Sequence, residues 1–113
     1  MVKIDLFNDI QDLTNKLDTS IKQMAEYGKE LAECERDYKI TLRQEALKLR
    51  AEKGMPVTLI QQVVYGVPEV AEKRFKRDVA ESKRDTSREY INTLKLQIRT
   101  LSEQLSREWG NAK

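Results

Sequence analysis

Apolar residues recur along the first half of the chain at alternating steps of four and three: Leu6, Ile10, Leu13, Leu17, Ser20, Met24, Tyr27, Leu31, Cys34 and Tyr38. Only Ser20 departs from the apolar or amphipathic pattern, so the spacing predicts one helix over residues 4–52 with a heptad seam along it. Beyond Tyr38 the apolar positions become Leu42, Ala46 and Leu49. Two successive steps of four move the stripe sideways and relax a coiled coil toward straight helix packing. Gly28 lies inside this helix at a cost of about 1 kcal/mol relative to alanine. It predicts either the close approach of a partner helix or a bend. Near the end of the helix Lys48, Arg50 and Lys53 suit the negative pole of its dipole. Gly54 can take the left-handed cap, and Pro56 forbids continuation.

Thr58 with Gln61 three residues on makes a capping-box pattern that opens a short apolar segment, 59–65, which Gly66 closes. Pro68 suits the first position of a second long helix running to residue 108, because its missing N–H has no helical partner there. The distal half of that helix has a seam at Ile91, Leu94, Ile98, Leu101 and Leu105. Its proximal half offers Val70, Phe75 and Val79, followed by a polar stretch over 82–89. Two such helices joined by residues 53–67 predict a single all-α domain, an antiparallel, coiled-coil-like helical hairpin with a short helix at the tip. Phe7 and Trp109 are expected to meet at the opposite end. The polar stretch is expected to face residues 34–38 and to fix the register through ion pairs, with a polar ligand pocket as the competing reading.

A two-helix hairpin leaves one flank of each helix uncovered, and small proteins need most of their apolar surface buried. Ile21, Leu42 and Leu96 lie beside the seams and widen the apolar stripe. The chain is therefore expected to form a homo-oligomer, a dimer or a larger helical bundle. The seam residues assigned to that contact are Leu13, Leu17, Met24, Leu31, Ile91, Leu94, Ile98, Leu101 and Leu105.

Charge changes the picture. Of 113 residues 35% are charged, against about 25% in average soluble proteins. Lys plus Arg is 21 and Asp plus Glu 19, yet the near balance hides a segregation: net −4 over residues 1–38, +5 over 39–77 and +1 over 78–113. In the hairpin the tip end is thus basic and the N-terminal arm acidic. Lys48, Arg50, Lys53, Lys73, Arg74, Lys76 and Arg77 form a candidate polyanion-binding set, with nucleic acid as the possible partner. Two other readings compete: a solvated helix surface, and acidic arms of one protomer meeting basic tips of another. A helix-turn-helix fits badly, because Gln61 and Glu72 stand where that motif packs small or branched apolar residues.

Catalytic chemistry is hard to place. Histidine is absent, which removes the commonest general base and metal ligand. Cys34 occupies a seam position and has no imidazole to activate it. Glu33 and Asp37 stand four apart, a spacing expected by chance among so many helical acids. No phosphate loop, Cys-x-x-Cys or His-Glu-x-x-His motif occurs. The chain reads as non-enzymatic, without cofactor or metal. Neither a signal-peptide core nor a run of about 18 apolar residues is found, so no membrane partner is expected. A lone cysteine fits a cytoplasmic location.

Several runs carry a family resemblance: Asp37-Tyr38-Lys39 with Leu42-Arg43, Leu49-Arg50, and Gly54-Met55-Pro56-Val57-Thr58. Arg77-Asp78-Val79-Ala80-Glu81-Ser82, Lys95-Leu96 and Arg107-Glu108-Trp109 extend it. Over about residues 30–110 the chain resembles an uncharacterised group of small helical proteins encoded in phages and prophages of Gram-positive bacteria. The resemblance implies a phage setting in a bacterial cytoplasm; it carries over no functional residue. The leading expectation is an accessory or adaptor protein working through coiled-coil self-association and contact with a protein partner. The alternative is a nucleic-acid-associated protein that binds phosphates at its basic tip.

Overall fold

A proline-free stretch with its heptad seam forms one continuous helix, α1 (Val2–Lys53). This is a computed structural model that describes residues 2–111, with side chains over 4–110. α1 ends as the sequence predicts. Gly54 takes φ +59°, and its N–H donates to the Arg50 carbonyl at 3.1 Å. The Met55 N–H reaches the Leu49 carbonyl at 3.3 Å.

The short helix, α2 (Val57–Val63), starts without the predicted capping box. Pro56 is the N-cap at φ −61° and ψ 147°, and its carbonyl accepts from the N–H groups of Leu59 and Ile60, both at 3.0 Å. The fixed φ of proline sets the start, which leaves Thr58 inside the helix rather than capping it. A 3-10 turn, Val64–Gly66, follows. Val67 is extended, its carbonyl accepts from Ala71 at 2.9 Å, and α3 (Pro68–Asn111) opens on the proline as expected. Among the described residues there is no strand.

The chain divides into two compact units. One, residues 27–84, holds the end of α1, all of α2 and the start of α3. Here Lys83 pairs with Glu30 and Arg77 stacks on Tyr38, so the numbers fall on one helix as they rise on the other. The other unit pairs residues 2–26 with 85–111. There Lys16 shares a groove with Gln97, and Ser20 shares another with Tyr90. Both units are antiparallel helix pairs, and the fold is the all-α helical hairpin with a short helix at its turn.

In the unit that holds the turn, Tyr38, Leu49, Ile60, Val64 and Val70 form a core, with Leu42, Ala46, Met55 and Val67 packed against it. The sideways shift of the α1 stripe has a clear cause in this cluster. Three elements meet there instead of two, and Leu42 and Ala46 widen the stripe for the third. The same packing corrects the predicted register. Residues 82–89 do not face 34–38: Lys83 lies against Glu30 and 5.3 Å from the centre of the Tyr27 ring. Ile60 and Val64 of the turn occupy the last turns of α1, so α3 begins its pairing roughly one heptad further down.

The inner face of α3 also differs from its predicted line. Val70 and Ala80 are buried, whereas Phe75 is 63% exposed and Val79 42%. Lys73, Arg77, Arg84 and Ser87 take the partly buried positions between. The alternation of three and four that links Ile91, Leu94, Ile98, Leu101 and Leu105 continues backward through these polar residues and passes Phe75 and Val79 by. Long aliphatic stems cover the seam while their charged heads reach water. In the other unit Leu6, Ser20, Ile91 and Leu94 are buried. No buried side-chain polar atom among the described residues lacks a hydrogen-bond partner. Leu6 is buried near the beginning of α1, and Phe7 and Trp109 are both largely exposed.

Gly28 is not a site of close approach. A Cβ built there meets nothing within 4 Å. Gly28→Ala is therefore expected to raise stability by about 1 kcal/mol, read as a higher urea midpoint at unchanged slope. A lower midpoint would show that the glycine relieves a crowding absent from the structure.

Candidate functional site

The seven candidate cations flank the turn, and most already have partners. Lys48 Nζ lies 3.2 Å from Glu45, Lys76 Nζ 4.0 Å from Glu72, and Arg77 Nη2 2.8 Å from Asp78. Arg50 braces the turn, because its Nη1 donates to the Met55 carbonyl at 3.0 Å, across the chain reversal that Gly54 makes. Lys53, Lys73 and Arg74 have no carboxylate within 4.0 Å among the described residues. Arg74 sits over Tyr65, 5.7 Å from the ring centre. Arg50→Ala is expected to cost about 1 kcal/mol by losing the contact to Met55, checked by thermal unfolding. A neutral result would make that hydrogen bond incidental to the cap.

Arg77 is only in part a surface cation. Its guanidinium lies 4.7 Å from the centre of the buried Tyr38 ring, and Nε and Nη2 both donate to the Asp78 carboxylate. The hydrogen bond to Asp78, with a smaller attraction from the same carboxylate, raises its pKa beyond the ordinary high value against a lesser opposing effect of burial. Arg77 is therefore a positively charged layer of the helix seam.

Between these cations the chain is neutral: no residue from Gly54 to Pro68 is charged. Ile60 and Val64 point inward from this stretch, while Val57, Leu59, Val63 and Tyr65 remain exposed. The turn thus exposes four apolar side chains, with Arg74 over one of them and Lys53 and Lys73 on the flanking helices. The cations are legible in the sequence, but the exposed apolar surface escapes a reading of 59–65 as one segment with its two faces unseparated. The absence of charge over fifteen successive residues was the available signal.

The nine residues assigned to self-association line the interior of the hairpin itself. Leu31, Ile91 and Leu94 are buried, and Leu13, Leu17, Met24, Ile98, Leu101 and Leu105 are partly buried within the single chain. What remains on the outside is a second set: Ile21, Ile40, Leu47, Phe75 and Leu96 are all exposed.

Chemistry beyond contact is sparse. Cys34 is a partly buried free thiol on the seam. No group of three or more Cys, Asp or Glu among the described residues is placed to hold a metal ion. Asn15, Lys16, Thr19, Ser20, Gln23 and Tyr90 line an open polar groove beside the one serine of the α1 seam. No described helix is long and apolar enough to cross a membrane. No family model matches this chain, and neither a curated protein nor a solved structure is significantly similar to it.

Proposed function

We propose that this chain is a non-enzymatic adaptor of the phage accessory type, working in a bacterial cytoplasm through helical contact with copies of itself and with a protein partner. The supporting observation is the outer apolar set. The hairpin fills its interior from its own two long helices and still exposes Ile21, Ile40, Leu47, Phe75 and Leu96. Large apolar side chains on a highly charged helical surface are what a second helical layer covers. The polar seam adds to this reading. Lys83 with Glu30, and Arg77 with Tyr38 and Asp78, hold one register, which keeps the outer faces constant from copy to copy.

Sedimentation equilibrium over a wide concentration range tests the proposal. The expected result is a mass that rises with concentration above the 13.2 kDa of one chain. A mass that stays at one chain up to hundreds of micromolar would remove self-association, leaving the partner protein as the only contact.

A second reading assigns phosphate binding to Lys53, Lys73 and Arg74, the members of the basic set with no carboxylate within 4.0 Å among the described residues. It is the weaker reading because Lys48, Lys76 and Arg77 are neutralised locally and Arg50 holds the turn. Anisotropy of labelled DNA and RNA at low and physiological salt tests it; binding that falls steeply with salt would bring it forward.

A further inference from the structure

We propose that the turn of one copy docks onto the acidic beginning of α1 in a second copy. The inference rests on the self-association reading above and names the surfaces that meet. Val57, Leu59, Val63 and Tyr65 give the turn an exposed apolar face, and the surrounding 39–77 segment carries net +5. Arg74 over Tyr65 places a cation beside the largest apolar side chain of that face. Such a surface fits an occupant that carries exposed apolar side chains and an excess of acidic ones on one segment.

The same chain carries one. Ile4 and Phe7, three apart on α1, are both exposed. Asp5, Asp9, Asp12 and Asp18 lie along the same beginning of α1, with Lys16 the one cation over residues 4–18. Among the described residues none of these four aspartates has an ion pair within 4.0 Å. Asp9 and Asp12 also line an open groove with Leu13, Lys16 and Gln97.

Two turns cannot pair with each other on these terms, because cations would oppose cations; two acidic stretches fail for the same reason. Only turn against acidic stretch brings opposite charges together on segments that also expose apolar side chains. Each copy offers both halves, so the contact closes as a reciprocal dimer or continues from copy to copy. Its charges are exposed, so assembly should weaken once the screening length falls from about 10 Å to a few ångströms at high salt.

The test exchanges the charges. One full-length variant carries Lys53→Glu with Arg74→Glu, and another carries Asp9→Lys with Asp12→Lys. Circular dichroism first establishes that each keeps the helicity of the parent. In sedimentation velocity at low salt, the parent is expected to form species larger than one chain that recede in high salt. Each variant alone should shift toward the single chain, because the exchange takes the 39–77 segment from +5 to +1 or residues 4–18 from −3 to +1 and so removes most of the attraction. An equimolar mixture should assemble again. If a variant fails to fold, the neutral pair Lys53→Gln with Arg74→Gln replaces it and should shift the parent distribution toward monomer.

Assembly that ignores every exchange would overturn the docking and leave self-association standing through the outer apolar set. A parent that is monomeric throughout would overturn both. A monomeric parent that co-sediments with phosphatidylserine vesicles, and loses that binding with Lys53→Glu and Arg74→Glu, would assign the turn to an anionic bilayer instead.

Discussion

Tyr38→Ala is expected to lower stability by about 3–5 kcal/mol, the largest loss available from one substitution in the unit that holds the turn. Tyr38 is buried in the cluster with Leu49, Ile60, Val64 and Val70, where three elements meet. Its removal opens a cavity that α2 cannot fill, because seven residues of helix have no other core to hold them. The ring also carries the Arg77 guanidinium 4.7 Å from its centre. Tyr38→Leu keeps much of the volume and loses the ring, so it should cost about 1–2 kcal/mol. Urea unfolding followed by circular dichroism measures all three proteins. A double-mutant cycle with Arg77→Met isolates the stacking, with a coupling of roughly 0.5–2 kcal/mol expected. If Tyr38→Ala falls within about 1 kcal/mol of the parent, the three-element cluster is not the centre of stability in that unit.

The α1 seam is readable because its positions are apolar: each of Leu6, Leu31, Tyr38 and Leu49 is buried at the place its spacing assigns. The α3 seam is readable only where that holds, at Ile91, Leu94, Ile98, Leu101 and Leu105. Further back the inner positions are Lys73, Arg77 and Arg84, and a search for apolar residues settles instead on Phe75 and Val79, which face outward. Hydrophobic periodicity misleads where long charged side chains supply the apolar cover through their stems. Extending the distal heptad backward in strict steps of three and four would have found the correct face. The register differs by one heptad for another reason. Equal division of the turn between the long helices ignores the length of α1 that α2 occupies, which is a tertiary fact with no local signal.

The candidate site is legible as charge and not as function. Segregation of acidic and basic segments is a property of composition alone, and it locates the basic set correctly along the chain. Which cations are engaged depends on partners at one to five residues' distance: Asp78 for Arg77, Glu45 for Lys48, Met55 for Arg50. Acidic residues at those spacings are readable in advance. The reach of Arg50 to a backbone carbonyl is not, because it requires the left-handed turn at Gly54 to bring that carbonyl around.

Two leucines on α3 separate the interior of the hairpin from its outer face. Leu94 is 2% exposed and Leu96 53%, although they stand two residues apart on one helix. Leu94→Ala is expected to cost about 2–5 kcal/mol, the lost transfer of the side chain plus the cavity it leaves between α3 and the beginning of α1. Leu96→Ala should stay within about 0.5 kcal/mol of the parent at concentrations where the chain is monomeric, because water already covers the removed atoms. Trp109, the single tryptophan, is already 60% exposed, so circular dichroism rather than its fluorescence follows the unfolding. The difference between the two variants matters most at high concentration. If the outer face is covered by another copy or by a partner, the Leu96→Ala loss should grow with concentration while the Leu94→Ala loss stays constant, since only the first depends on association. A Leu96→Ala effect as large as that of Leu94→Ala even in dilute solution would mean that the outer face is buried within the folded chain. The outer apolar set would then be interior, and the adaptor proposal would lose the surface on which it stands.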